Sequence, residues 1–138
     1  MILRIDFSGE LPIYMQLRNE IVKGIGRGEL ADGETLPTVR QLAADLGVNT
    51  MTVSKAYQYL KTEGYIETDR RRGTVVCLPG RGVQCADQAF CEKLESGLEL
   101  LGAEAKIKGF QKEEFIRMCS AAFEGEGFQG AGLMPQEG

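Results

Sequence analysis

The sequence predicts a mostly helical α+β fold. Three short segments with apolar residues at helical spacing fill residues 12–64, and two segments rich in β-branched residues then flank a charged turn. Two more helical patterns follow beyond residue 86. A chain of 138 residues has room for one compact domain with an appendage, and a second full-sized domain is not expected.

The first helix is predicted over residues 12–26. Pro12 suits the first turn of a helix, because the N–H that proline lacks would have no partner there. Gly28 and the turn-forming segment 31–33 end the pattern, and Pro37 holds the residue before it extended. The apolar residues at helical spacing are Tyr14, Leu17, Ile21 and Ile25.

The second helix is predicted over residues 38–46. Thr38 and Gln41 have the spacing of a capping box, in which each side chain satisfies a backbone N–H of the other residue. Gly47 then suits the left-handed conformation that ends many helices. The apolar stripe of this helix consists of Val39, Leu42, Ala43 and Leu46.

A third helix begins after Asn49, which is a favourable N-cap residue, and ends before Gly64. Only Gly47 and Val48 separate this cap from the second helix. Two short helices joined by such a tight turn predict a helix-turn-helix. The apolar stripe of the third helix consists of Val53, Ala56, Tyr57 and Leu60.

A β-hairpin is predicted next. Residues 65–68 and 74–78 have the composition of strands, and the charged segment between them contains Gly73. A hairpin directly after a helix-turn-helix is a wing. We therefore expect residues 1–79 to form a winged helix-turn-helix domain of three helices and a two-stranded wing.

Two helices are predicted after a linker at residues 79–82, over residues 87–108 and 112–124. A hairpin of this size cannot bury both apolar stripes, so we expect residues 80–124 to form a helical dimerisation segment. The alternative is that the stripes fold back on the winged domain. The glycine-rich residues 125–138 predict a disordered tail. The residues expected at the dimer interface are Phe90, Leu94, Leu98, Leu101, Phe115, Ile116, Cys119 and Phe123.

Composition argues against a membrane protein and an enzyme. No apolar run approaches the roughly 20 residues of a membrane span, and the N-terminus lacks the pattern of a secretion signal, so we expect a cytoplasmic protein. The sequence has no histidine, no nucleophile elbow and no phosphate-binding loop. It therefore indicates no catalytic residue and no cofactor, and no set of residues selects a small-molecule effector.

The cysteines do not have the spacing of a metal site. Without histidine the zinc sites that mix Cys and His are excluded, and none of the cysteines forms a Cys-x-x-Cys pair. We expect reduced thiols and no metal, with a metal or redox-sensing site as the alternative. The four residues are Cys77, Cys85, Cys91 and Cys119.

The net charge of −4 at pH 7 is unevenly distributed. Residues 1–79 contain ten basic and ten acidic residues, whereas residues 80–138 contain six basic and ten acidic residues. The acidic excess lies in the second part. Residues 1–79 therefore carry no net negative charge that would repel a polyanion. For such an approach, the local distribution of charge matters more than the net charge of the whole chain.

The third helix is the candidate for contact with DNA bases. An α-helix fits the major groove of B-DNA, and the residues in its first turns reach the base edges. The side chains that lie off its apolar stripe can hydrogen-bond a base, touch a thymine methyl group or meet a phosphate. The candidate set also includes both cap residues, and its members are Thr38, Asn49, Thr50, Met51, Thr52, Ser54, Lys55 and Gln58.

Five further residues complete the candidate DNA surface. Arg40 lies in the first turn of the second helix, where the helix dipole disfavours a cation unless a phosphate or a guanine compensates it. Its alternative role is a surface ion pair with Asp45 or Glu34. Three cations at the hairpin tip can enter a minor groove or line phosphates, and the following glycine lets the backbone approach. These residues are Arg70, Arg71, Arg72 and Gly73, and their alternative is a solvated turn.

The sequence favours the first of two interpretations of the whole chain, and the second is its alternative. In the first, two copies pair and set their recognition helices about one DNA turn, roughly 34 Å, or a multiple of it apart on an operator. In the second, the winged helix contacts a protein, and the basic hairpin tip meets an acidic partner. A sequence-specific footprint would distinguish them.

The segment from Pro12 to Val76 resembles the GntR family of bacterial transcription regulators. Most members append a large effector-binding domain, and a short chain with two C-terminal helices resembles the YtrA-type subfamily. The matching motifs are Ile13-Tyr14-x-Gln16-Leu17, Gly33-x-x-Leu36-Pro37-Thr38-Val39-Arg40-Gln41-Leu42-Ala43, Val48-Asn49-x-x-Thr52-Val53-Ser54-Lys55-Ala56-Tyr57, Glu63-Gly64-Tyr65-Ile66 and Gly73-Thr74-Val75-Val76.

The resemblance implies operator DNA as the partner, dimerisation through the C-terminal helices, and repression of the protein's own operon, frequently beside transporter genes. It also implies DNA contacts for Arg40, Thr50, Thr52 and Gly73. The sequence departs from the family where Ser54-Lys55 stands near a common Arg, and from the subfamily where Thr50-Met51 replaces a common Pro-Asn. No operator sequence is therefore carried over.

Overall fold

The computed structural model describes residues 3–78 and 88–125 of the chain. The chain divides into two compact units, Met1–Gly80 and Arg81–Gly138. Within the described residues it forms five helices and a two-stranded sheet. These elements are α1 (Ile13–Gly26), α2 (Val39–Leu46), α3 (Thr50–Thr62), β1 (Ile66–Asp69), β2 (Gly73–Val76), α4 (Gln88–Ile107) and α5 (Lys112–Glu124).

The predicted fold class is confirmed, and the helix boundaries agree with the predicted ones to within about a residue. The second strand is shorter than predicted, because Cys77 and Leu78 lie beyond β2. The N–H of Cys77 still donates to the carbonyl of Tyr65, at 2.9 Å. The predicted linker at 79–82 and the predicted tail, apart from Gly125, lie outside the described residues.

The core of the first unit forms where α1 packs on α3. Leu17 and Ile21 of α1 and Val53 and Leu60 of α3 are all fully buried. The apolar stripes predicted for these helices therefore face each other. Burial of each such side chain contributes roughly 1.5–3 kcal/mol, so this contact orients α3 about its own axis.

Caps fix the ends of the two helices that form the helix-turn-helix. The Oγ1 of Thr38 accepts from the N–H of Gln41 at 3.1 Å, and the side chain of Gln41 accepts from the N–H of Thr38 at 3.0 Å. Gly47 follows α2 in the left-handed conformation, with φ +69°. The side chain of Asn49 accepts from the N–H of Met51 at 2.7 Å and caps α3. The capping box and both glycine and asparagine caps agree with the sequence prediction.

The wing has a third partner that the sequence analysis missed. The strands β1 and β2 pair antiparallel, with Ile66 opposite Val76. On its other side, β2 hydrogen-bonds the extended segment before α2: the N–H of Gly33 donates to Val76 and the N–H of Leu36 donates to Thr74, both at 2.8 Å. The segment is too short to show strand alternation. It anchors the wing to the start of the helix-turn-helix.

Tyr57 links α3 to the same segment. Its side chain is buried, and its hydroxyl donates to the carbonyl of Pro37 at 2.7 Å. Burial raises the pKa of Tyr57 to about 12, because the phenolate form would lose its hydration. This bond joins α3 to the extended segment that precedes α2.

The second unit is a pair of helices, α4 and α5, joined at Gly109, which has φ +92°. Neither helix contains a residue that is fully buried. Phe115 of α5 packs near Gly102 of α4. Across the described residues, no helix combines the length and the apolar character that a membrane crossing requires.

The raised pKa predicts how stability depends on alkaline pH. The folded protein retains the Tyr57 proton while the unfolded chain releases it near pH 10, so this contribution to the unfolding free energy is complete below pH 10 and is lost as pH rises towards 12. Tyr57→Phe should flatten this loss and cost about 1 kcal/mol at pH 7 through the missing hydrogen bond. Urea unfolding across pH measures both effects, and Tyr59→Phe, on the exposed face of α3, is the control that should leave the alkaline loss in place.

Candidate nucleic-acid interface

The outward face of α3 is set by its buried face. Because Val53, Ala56, Tyr57 and Leu60 point into the core, the remaining side chains of the helix face outward. Met51 has the most exposed apolar side chain among them, at 74%. Of the predicted base-contacting residues, Thr52 is half-buried, and the exposed members are Thr50, Met51, Ser54, Lys55 and Gln58. The structure therefore brings most of the predicted set together on one helix face.

The two predicted cap residues have structural roles. The hydroxyl oxygen of Thr38 accepts from Gln41, and the amide oxygen of Asn49 accepts from Met51. These oxygens are already engaged within the protein. Each side chain still has a free donor for another partner, the hydroxyl hydrogen of Thr38 and the amide NH₂ of Asn49.

Arg40 is exposed near the amino end of α2. Within the described residues it forms no ion pair with Asp45 or Glu34, the two partners expected for its alternative role. The first turn of α2 also contains no acidic residue. Among the residues that the structure describes, no carboxylate pairs with Arg40, so an anion from another molecule would be stabilised here.

The three arginines of the wing are not equivalent, although the sequence analysis treated them as one cluster. The side chain of Arg72 donates to the carbonyl of Gly33 at 3.1 Å and forms an ion pair with Asp69 at 3.4 Å. It therefore turns back onto the protein. Arg70 and Arg71 are exposed and have no side-chain partner among the described residues, so they are the cations that the wing offers.

Asp69 hydrogen-bonds the backbone of the wing tip. Its Oδ1 accepts from the N–H of Arg71 at 2.7 Å and from the N–H of Arg72 at 3.1 Å. These hydrogen bonds, led by the one from Arg71, lower the pKa of Asp69, because they stabilise the charged form of its carboxylate. Gly73 has φ +81°, a conformation that favours glycine, and a side chain at this position would meet open space.

Two aromatic residues at this surface were missed by the sequence analysis. The Nζ of Lys55 lies 4.0 Å from the centre of the Tyr14 ring, and Tyr14 in turn stacks on Tyr59 with the ring centres 5.7 Å apart. The sequence contains one sign of this cluster: Lys55 and Tyr59 are four residues apart, so they are neighbours on one face of a helix. Tyr14 was assigned only to the apolar stripe of α1.

The residues predicted to form a dimer interface lie on α4 and α5 and remain largely exposed. Leu98 is 44% exposed and Phe123 is 91% exposed. The two helices border an apolar groove of about 670 Å³, lined by residues that include Leu101, Phe115 and Met118. The structure places the remaining predicted residues as follows: Phe90, Leu94, Ile116 and Cys119 are exposed, and Phe115 is half-buried.

A family description matches the winged unit. The pattern described as "Bacterial regulatory proteins, gntR family" matches residues 12–76. The chain is 42% identical over 74 residues to the HTH-type transcriptional regulator Rv1152 of Mycobacterium tuberculosis and 42% identical over 74 residues to the HTH-type transcriptional repressor YtrA of Bacillus subtilis. These matches cover 54% of this chain, and they span 61% and 57% of the two relatives. A shorter match, 37% identical over 68 residues, covers 49% of this chain and 28% of the mannosyl-D-glycerate transport/metabolism system repressor MngR of Escherichia coli.

Some solved structures match most of this chain, and another matches little more than half of it. A transcriptional antiterminator from Listeria monocytogenes matches 94% of this chain and 98% of its own, with a TM-score of 0.76 at 25% identity. YtrA from Sulfolobus acidocaldarius, described as a GntR-family transcription factor, matches 75% of this chain and 99% of its own, with a TM-score of 0.61 at 36% identity. The DBD of AraR in complex with operator ORX1 matches 56% of this chain and 99% of its own, with a TM-score of 0.50 at 29% identity.

Arg71 and Arg72 have different environments in the wing, so their alanine variants should have different effects on DNA binding and on stability. Arg71→Ala and Arg72→Ala each remove one charge, but only Arg72 holds the wing to Gly33. Arg71→Ala should weaken binding to duplex DNA and lower the slope of log K against log salt by about 0.9, with Tm unchanged. Arg72→Ala should instead destabilise the fold by about 1 kcal/mol through the lost hydrogen bond. Fluorescence anisotropy and thermal unfolding measure the two effects, and equal behaviour of the variants would contradict the assignment.

Proposed function

Because the chain belongs to the GntR family of bacterial regulatory proteins, we propose that two copies bind a pseudo-palindromic operator and repress transcription of the operon that encodes them. The chain is a transcription regulator with a helix-turn-helix DNA-binding domain and not an enzyme. The proposal rests on the outward face of α3, which presents exposed polar side chains. This helix comes directly after a tight turn, and burial of its apolar stripe determines which side chains face outward.

In the proposed complex, α3 lies in the major groove. Thr50 and Ser54 hydrogen-bond base edges, Met51 contacts a thymine methyl group, and Gln58 extends the polar face. Arg40 meets a phosphate or a guanine at the amino end of α2. The operator complex of the AraR DBD supports this arrangement, because that protein resembles the winged unit.

The wing supplies contacts outside the major groove. Arg70 and Arg71 line phosphates or enter the adjacent minor groove, where negative potential attracts arginine. Gly73 leaves the backbone of the wing open to close approach. Phosphate contacts of this kind fix the orientation of the protein without selecting a sequence.

The exposed apolar faces of α4 and α5 support the proposed dimerisation. Leu94, Leu98 and Leu101 lie on one face of α4, each more than 40% exposed. Such a face is costly to leave in water, and a second copy buries it in a symmetric interface. Two copies then set their α3 helices about one DNA turn, roughly 34 Å, or a multiple of it apart.

Repression of an operon that carries transporter genes is supported by the names of two relatives. YtrA of Bacillus subtilis is named a transcriptional repressor, and MngR of Escherichia coli is named a repressor of a transport and metabolism system. In this proposal the protein acts on chromosomal DNA in the cytoplasm, with no cofactor.

Selection of genomic fragments tests the proposal. The purified protein is mixed with sheared genomic DNA at roughly 150 mM salt, which screens exposed charges beyond about 8 Å, and the retained fragments are footprinted. The expected result is a protected two-fold site upstream of the protein's own gene. Retention of no fragment would contradict DNA binding and leave the winged unit as a protein-contacting module with an acidic partner.

The charge of Arg40 gives a direct prediction for the selected site. Arg40→Ala should weaken operator binding about tenfold, because a guanine or phosphate contact is lost, while thermal unfolding stays the same. Arg27→Ala is the matched control, since Arg27 is an exposed arginine at the end of α1. Unfolding of the Arg40 variant would instead assign Arg40 a structural role.

The exposed stripe of α4 predicts the oligomeric state. Leu98→Glu should convert the dimer into a monomer and weaken operator binding at least tenfold, because a buried interface does not accommodate an unpaired carboxylate. Leu100→Glu is the matched control, because Leu100 is 63% exposed on the opposite face of the same helix. Analytical ultracentrifugation of both variants gives the outcome, and a dimer that survives Leu98→Glu would place the interface elsewhere.

A further inference from the structure

Lys55 is held by aromatic residues from two helices. Its Nζ lies 4.0 Å from the centre of the Tyr14 ring, in the first turn of α1. The Tyr14 ring stacks on Tyr59 of α3, with an interplanar angle of 18°. The three side chains form one stack across the α1–α3 junction, which we call the tyrosine–lysine stack.

The ring of Tyr14 attracts the ammonium group without neutralising it. The face of an aromatic ring carries negative electrostatic potential, so a cation within about 6 Å of its centre is stabilised. Unlike a carboxylate, the ring leaves the net charge of Lys55 intact. Lys55 has no hydrogen bond or ion pair among the described residues, so the N–H groups that point away from the ring are available to a second partner.

The stack also determines where the charge lies. A free lysine at this position would sample many rotamers over the outward face of α3, and fixing them on binding costs free energy. Contact with Tyr14 instead draws the amino group towards α1, to one side of the α3 residues that face the base edges. A cation at the edge of a helix that lies in the major groove meets the phosphate backbone rather than a base.

We propose that Tyr14, braced by Tyr59, is a positioning residue that holds Lys55 for contact with a backbone phosphate of the bound DNA. This inference rests on the proposed DNA binding. It removes Lys55 from the base-reading set and gives α1 a part in DNA affinity. Lys55 then contributes affinity that is independent of sequence and depends on salt.

A double-mutant cycle tests the coupling. The full-length protein and the variants Tyr14→Leu, Lys55→Met and the double variant are titrated by fluorescence anisotropy against one duplex at several salt concentrations. Lys55→Met should lower the slope of log K against log salt by about 0.9, the value for one phosphate. Tyr14→Leu should weaken binding about two- to fivefold alone and cause no further loss in the Lys55→Met background.

Two more variants separate positioning from packing. Tyr14→Phe keeps the ring and should bind DNA within about twofold of the native protein. Tyr59→Leu removes the brace at a residue that is 41% exposed, and it should weaken binding only while Lys55 is present. Equal losses for Tyr14→Leu with and without Lys55 would overturn the inference and assign Tyr14 to the core alone.

A readout without DNA distinguishes the two possible failures. The ε-CH₂ protons of Lys55 are bonded next to the ammonium group that lies over the Tyr14 ring, so they should show an upfield ring-current shift by NMR that Tyr14→Leu removes. Absence of this shift would overturn the tyrosine–lysine stack itself. Native protein that shows the shift but binds no duplex would refute the proposed function and the phosphate contact with it, whereas binding without coupling would refute the positioning role alone.

Discussion

Burial of one face of α3 is the constraint on which the winged unit depends. Val53 and Leu60 are fully buried against α1, and Tyr57 is buried beside them. Exposing any one of these side chains would cost roughly 1.5–3 kcal/mol, a large part of the stability of a small domain. The rotation of α3 about its axis is therefore fixed in the free protein. Its outward face consists of the side chains that do not pack in the core.

The segment before α2 connects α3 to the wing and to the amino end of α2. Tyr57 hydrogen-bonds Pro37, β2 pairs with the backbone of residues 33–36, and Arg72 donates to Gly33. The helix α3, the amino end of α2 and the wing are thus tied to the same few residues. In the proposed complex, contacts that are already formed in the free protein reduce the free-energy cost of ordering this surface on binding.

The sequence predicted the elements well, because their ends depend on local chemistry. The capping box at Thr38 and the left-handed glycine at position 47 are visible in a few consecutive residues. The sequence did not predict the features that depend on tertiary contacts. The pairing of residues 33–36 with β2 is too short to show alternation, the distinct role of Arg72 follows from the position of Gly33, and Lys55 meets Tyr14 across 41 positions of sequence. The exposed side chains of α3 were therefore predictable from the sequence, whereas the contacts that Arg72 and Lys55 make within the protein were not.

Methyl NMR of methionine tests most directly whether the outward face of α3 reads DNA. Met51 is 74% exposed on α3, whereas Met118 lies on α5 beside the apolar groove. With ¹³C-methyl methionine in the full chain and an operator duplex as the ligand, the Met51 resonance should shift strongly while that of Met118 stays in place. A bound complex in which Met51 does not respond would contradict the account, because the protein would then contact its operator through another surface.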